Sequence, residues 1–144
     1  VVHIEVSKVI EAPREFVFSR LFDYGSLPKA STIVSSTKVL SKEGNVQMVE
    51  EEGKLLGRKF KATVKATFYP PEKLVEEFSG DANGTQIWTL SEVPQGTKIT
   101  LVSDINPRGF LARIFGGIAS GPLQRVINEE TEALKRYVEA AKFG

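Results

Sequence analysis

Residues 58–69 read RKFKATVKATFY. Phe60, Ala62, Val64, Ala66 and Phe68 alternate with Lys59, Lys61, Thr63, Lys65 and Thr67, the period of two of a strand with one buried and one wet face. The surrounding sequence has the same texture. From 33 to 106, short alternating or β-branched runs are cut by turn chemistry at 42–45, 53–57, 69–71, 81–84 and 94–96. This pattern predicts six strands, at 33–41, 45–53, 57–69, 73–80, 84–93 and 97–106. The loops between them are short enough to make neighbours antiparallel.

Outside this block the periodicity changes. Val2, Ile4, Val6 and Ile10 share one phase, with Lys8 in it, which predicts a first strand. In APREFVFSRLFDY, Pro13 suits the first turn of a helix. Phe16, Val17, Leu21 and Phe22 recur at helical spacing before Tyr24-Gly25 stops it, and a short turn or helix follows through Leu27-Pro28. Leu123, Ile127, Leu134, Tyr137 and Val138 mark a long terminal helix. The order is α+β: a seven-stranded antiparallel sheet whose apolar face only that terminal helix is long enough to cover.

The 144 residues, 41% apolar and 26% charged, fit one domain spanning 1–144. Nineteen basic and eighteen acidic residues leave a net charge of +1, with no block of like charge longer than Glu50-Glu51-Glu52, so no nucleic-acid partner is expected. The absence of cysteine excludes disulfides, thiolate metal sites and thiol nucleophiles. His3 is the single histidine, which excludes a His-dependent triad or a multi-His metal site. Neither GxxxxGK(S/T) nor a GxGxxG after a strand is present, so no phosphate-based cofactor is expected, and none of another kind is assigned. No apolar run reaches the roughly 20 residues of a membrane span, and VVHIEVSKV lacks a signal-peptide layout. The expectation is a cytoplasmic protein without stable membrane insertion; the sequence identifies no protein partner.

Several stretches, taken in order, resemble a known family: IEAPREFVFSRLFDY (10–24), the strand at Gly57, PPEKLVEEFSG (70–80), QGTKITL (95–101) and EALKRYVEA (132–140). Together they resemble the START-related helix-grip superfamily (SRPBCC), in its polyketide cyclase and dehydratase-like branch, which is similar to coenzyme Q-binding and birch-allergen-like proteins. The resemblance covers nearly the whole chain. It implies a curved seven-stranded sheet gripping the terminal helix, two short helices after the first strand, and a deep cavity for lipids, isoprenoids, sterols, quinones or aromatic polyketides. It implies no mechanism, because the family includes carriers, cyclases, hydrolase-like enzymes and chaperone regulators.

The helix-grip arrangement also gives meaning to GFLARIFGGIASGPLQRV (109–126). As one unbroken helix, its three interior glycines and Pro122 would cost roughly 6 kcal/mol against alanine. A break between Gly116 and Pro122 is expected instead, with Pro122 in the first turn of a stem at 123–138. The leading piece, with Phe110, Leu111, Ile114, Phe115 and Ile118, would lie at the cavity mouth as a lid.

Polar residues standing in apolar phase are the candidate site. Glu50 and Glu52 follow Val46 and Met48 on one face, and Arg58 is in phase with Phe60 and Ala62. If the hairpin pairs Glu52 with Arg58 and Glu50 with Phe60, acid and guanidinium face the interior as an ion pair or ligand anchor; otherwise they reach solvent at the rim. Glu76 shares the phase of Leu74 and Phe78, although Val75 argues for the opposite one. Trp88, sharing a face with Leu90, and Leu101 and Ser103, sharing one with Ile105, suit either cavity wall or core. Lys8 reads as a Schiff-base lysine or, more simply, a snorkelling one, and Glu130, though on the apolar stripe, reads as helix flank beside Glu129 and Glu132. The predicted ligand-binding set is Met48, Glu50, Arg58, Phe60, Glu76, Phe78, Trp88, Leu101, Ser103, Phe115 and Ile118, with no catalytic or metal residue assigned. Three functions follow: a carrier or sensor of a small hydrophobic ligand, a cyclase or dehydratase-type enzyme using inward Glu and Arg groups, and an accessory interaction subunit with a filled cavity.

Overall fold

A computed structural model describes residues 2–107 and 121–142. The elements run β1 (Val2–Ile10), α1 (Arg14–Leu21), α2 (Leu27–Ala30), β2 (Val34–Glu43), β3 (Val46–Leu55), β4 (Arg58–Tyr69), β5 (Lys73–Gly80), β6 (Ala82–Val93), β7 (Gly96–Pro107) and α3 (Gly121–Ala141). All seven strands form one antiparallel sheet in the order β1-β7-β6-β5-β4-β3-β2. Six strands thus meander in sequence order, and β1 closes the row beside β7. The predicted strands all form, with ends shifted by up to two residues. Pro13 stands just before α1 rather than in its first turn: its backbone is extended and its carbonyl accepts from the Val17 amide.

Two apolar clusters lie under the helices. The larger joins Val17, Phe18 and Leu21 of α1 to Val49, Val64, Leu74 and Ile99 of the sheet and to Leu134 and Val138 of α3. The smaller joins Ile4 and Val6 to Leu123, with Phe60 and Ile127 packed against it. Helix α3 spans both because its buried residues Leu123, Thr131, Leu134 and Val138 fall on one stripe. Thr131 is tolerated there because its hydroxyl donates to the carbonyls of Ile127 and Asn128.

The hairpin between β3 and β4 decides which side chains face α3. Leu55 pairs with Arg58, leaving a two-residue loop in which Leu56 (φ 49°) and Gly57 (φ 79°) both take positive φ, as a type I′ turn requires. Gly53 then falls opposite Phe60, and Glu51 opposite Ala62. On its other edge Gly53 pairs with Val34, and the Ile33 carbonyl passes so close that a β-carbon on Gly53 would sit 2.1 Å from its oxygen. The expected break between Gly116 and Pro122, and the lid, lie outside the described residues.

Because the obstacle at Gly53 is backbone, Gly53→Ala is expected to lower stability by about 2 kcal/mol or more in equilibrium urea unfolding. An unchanged midpoint would show that β2 does not cross β3 this closely.

Candidate functional site

The two clusters do not meet over the whole inner face of the sheet. Ile4 and Leu123 from the smaller and Leu74, Leu101 and Leu134 from the larger face a common cavity of about 170 Å3. Phe22, Tyr24 and Leu27, from the segment containing α1 and α2, close another side of it. The wall is mainly apolar, and its described polar groups come from the chain after α1, from β3, β5, β6 and β7, and from α3.

Glu76 is the centre of the polar part. It projects from β5 between Leu74 and Phe78 and is 6% exposed. One carboxyl oxygen accepts from the Tyr24 hydroxyl at 2.5 Å; the other accepts from the Trp88 indole at 2.8 Å and the Gln86 amide at 3.2 Å. Gln86 is the cross-strand partner of Glu76 and Trp88 that of Leu74, so the β5–β6 register aims both donors. Burial raises the Glu76 pKa, while hydrogen bonds from Tyr24, Trp88 and Gln86 oppose the rise. Burial, then the neighbouring Glu76 charge, holds the Tyr24 hydroxyl well above its ordinary pKa, so it remains a donor.

Glu51 is the second buried acid. Only 4% exposed, it lines the cavity from β3, and none of the described donors hydrogen-bonds its oxygens. Burial, followed by repulsion from Glu76 and Glu130, raises its pKa from 4.5 to about 8. Glu130 reaches the same space from α3 and ties it to the segment before β2, accepting from the Ser31 hydroxyl (2.5 Å), the Thr32 amide (2.7 Å) and the Thr32 hydroxyl (3.0 Å). Glu76 and Glu130 are thus partnered, and Glu51 opens on the cavity with no hydrogen-bond partner among the described residues.

Of the predicted residues, Phe60, Glu76, Phe78, Trp88, Leu101 and Ser103 line this cavity together. Glu50 and Met48 do not. The expected pairing of Glu50 with Phe60 and Glu52 with Arg58 is corrected by the register: Glu50 pairs with Thr63, Glu52 with Lys61 and Met48 with Lys65, all on the outer face. There Lys61 bridges Glu50 at 3.3 Å and Glu52 at 3.8 Å. Arg58 stands exposed at the end of β4, opposite Leu55, and is not part of the wall. Phe115 and Ile118 lie outside the described residues. Glu51 and Tyr24 were not anticipated from the sequence, and Glu130 belongs to the wall rather than to a solvated flank. Lys8 pairs with Glu132 of α3 at 3.3 Å, and exposed His3 meets Asp104 and Glu5 on the outer face.

The Glu51 environment makes stability pH-dependent. The folded protein keeps this proton up to about pH 8, whereas the unfolded chain releases it near 4.5. Stability is therefore full below pH 4.5 and falls as pH rises through 8. Glu51→Gln removes that loss: above pH 8 the variant is expected to exceed the parent by about 2 kcal/mol, with no such gain below pH 4.5, in chemical denaturation at the two pH values. No gain at high pH would show that Glu51 ionises freely.

No curated protein matches the sequence. Solved structures match the fold. The protein TTHA0849 from Thermus thermophilus superposes with a TM-score of 0.85 at 17% identity, covering 96% of this chain and 98% of that one. The Zhui aromatase/cyclase from Streptomyces sp. R1128 gives 0.76 at 15%, covering 96% and 92%. A START superfamily protein from Mycobacterium smegmatis gives 0.75 at 14%, covering 96% and 95%. The model of one family, described as polyketide cyclase / dehydrase and lipid transport, matches residues 1–139. With the helix-grip fold and a family match over nearly its whole length, the chain belongs to the polyketide cyclase / dehydrase and lipid transport family.

Proposed function

We propose that the protein binds a small, largely hydrophobic molecule in the cavity between the sheet and α3. The observation that carries this reading is the mainly apolar space of about 170 Å3 where a filled core would otherwise close. Cavities of roughly 150 Å3 lined by aliphatic and aromatic side chains stay dry and accept benzene, so a ligand part of one or two rings suits this one. Burial of its apolar surface supplies the driving force, at about 25 cal/mol per Å2. The accessory-subunit reading would instead need this space filled by side chains.

A second reading has its own observation. Glu51 holds a proton to about pH 8 beside Glu76, the pairing of two acids in unlike surroundings that suits proton transfer. In a cyclase or dehydratase-type reaction Glu51 would protonate a carbonyl or departing hydroxyl, and hydrogen-bonded Glu76 would hold the site's geometry. Loss of turnover of a poly-β-ketone substrate in Glu51→Gln, with binding retained, would support it.

Binding itself is tested with naphthylmethanol, a neutral two-ring probe, by titration calorimetry. Ser103, buried on β7, lines the cavity, so Ser103→Phe fills the space. The parent is expected to bind, and the variant, folded by circular dichroism, to bind at least about ten-fold more weakly. Equal affinity would place the probe elsewhere and remove the cavity reading.

A further inference from the structure

The titratable groups among the described wall residues are all acids: Asp23 and Tyr24 beyond α1, Glu51 on β3, Glu76 on β5 and Glu130 on α3. Four of them have hydrogen-bond partners. Glu76 takes Tyr24, Trp88 and Gln86, and Glu130 takes Ser31 and Thr32. Exposed Asp23 accepts from the Gly25 amide and the Ser26 hydroxyl. Glu51 alone is more than nine-tenths buried, opens on the cavity and receives no hydrogen bond from the described residues. An unpartnered buried carboxyl is costly, and here the cavity beside it leaves room for the partner to come from a ligand.

We infer that the cavity takes an apolar molecule carrying one protonated amine, whose ammonium seats on the Glu51 carboxylate in the field of Glu76 and Glu130. The inference rests on the cavity reading and specifies the ligand's polar end. A neutral hydroxyl would hydrogen-bond Glu51 but leave it the neutral acid, with no charge attraction gained. A cation gains the attraction of an ionised Glu51 beside the other wall carboxyls, and in a mainly apolar pocket that attraction is stronger than in water. Phe22, Phe60 and Trp88 line the same cavity, and aromatic rings attract a cation at their faces. A ligand headed by a carboxylate, such as a fatty acid, brings a further negative charge among acids and is disfavoured.

Binding of this kind moves a proton. Below pH 8 the empty site holds Glu51 as the neutral acid. The ammonium form of the ligand meets that acid, the carboxyl O–H gives its proton to solvent, and the complex is an ammonium–carboxylate pair. The amine keeps its own proton, so one proton is released for each ligand bound, and affinity rises with pH until Glu51 is ionised beforehand.

Three probes of one shape test this: naphthylmethylamine, naphthylmethanol and naphthoate, substituted at the same ring carbon and titrated calorimetrically at neutral pH in buffers of different ionisation enthalpy. The amine is expected to bind at least about ten-fold more tightly than the alcohol, with naphthoate weakest and proton release seen only for the amine. In Glu51→Gln the amine's advantage over the alcohol should vanish, and its proton release with it. The indole N–H signal of Trp88, the sole tryptophan, reports that the variant keeps the site's fold. An alcohol that binds the parent as tightly as the amine overturns the inference and leaves the cavity reading standing. So does an amine advantage that survives Glu51→Gln. Failure of all three probes overturns both.

Discussion

Seven antiparallel strands offer one apolar face, and a helix of 21 residues has to cover most of it. At about 4.8 Å between strands such a sheet is roughly 29 Å wide. The helix is about 31 Å long but only some 10–12 Å across, side chains included. It cannot cover a flat sheet of that width, so the sheet must curl around it, and α1 and α2 are needed along one flank. Even so the layers do not close everywhere. Apolar contacts condense into a large cluster around α1 and the later turns of α3 and a small one around Leu123, with the cavity between them.

That incomplete closure explains where buried polar groups are tolerated. Glu76 can be buried because strand pairing puts Gln86 and Trp88 beside it and the chain leaving α1 brings the Tyr24 hydroxyl to its other oxygen. Glu130 fastens the segment before β2 to α3 through Ser31 and Thr32. Glu51 has neither arrangement and remains near the cavity as a proton-holding acid. Among the described residues the wall is therefore apolar in area and acidic in its titratable groups, a combination that sets what it can hold.

The strands were legible because RKFKATVKATFY and its neighbours alternate cleanly, and the helix because Leu123, Ile127, Leu134 and Val138 repeat on one stripe. The facing of β3 was not. Val46 and Met48 suggest an inward phase that carries Glu50 with them, yet both lie on the outer face because the Leu56-Gly57 turn sets the pairing. Counting back across a two-residue turn from Phe60 reaches Gly53 and then Glu51, which is the signal that identifies the inward acid. Tyr24 is read from sequence only as a helix stop, since its partner Glu76 lies 52 positions away. Glu130 stands on the apolar stripe, but its neighbours Glu129 and Glu132 disguise it, and only the hydrogen bonds from the Ser31 hydroxyl and from the Thr32 amide and hydroxyl give it a role.

The character of the cavity turns on the state of one carboxyl. Carbon-13 NMR of the glutamate side-chain carboxyls across a pH series, with Glu51→Gln to assign the signal, measures it directly. The structure predicts that the Glu51 signal keeps its protonated shift through neutrality and titrates at about pH 8. A Glu51 signal titrating near 4.5 would place this side chain in water and contradict the buried, unpartnered acid on which the reading of the cavity depends.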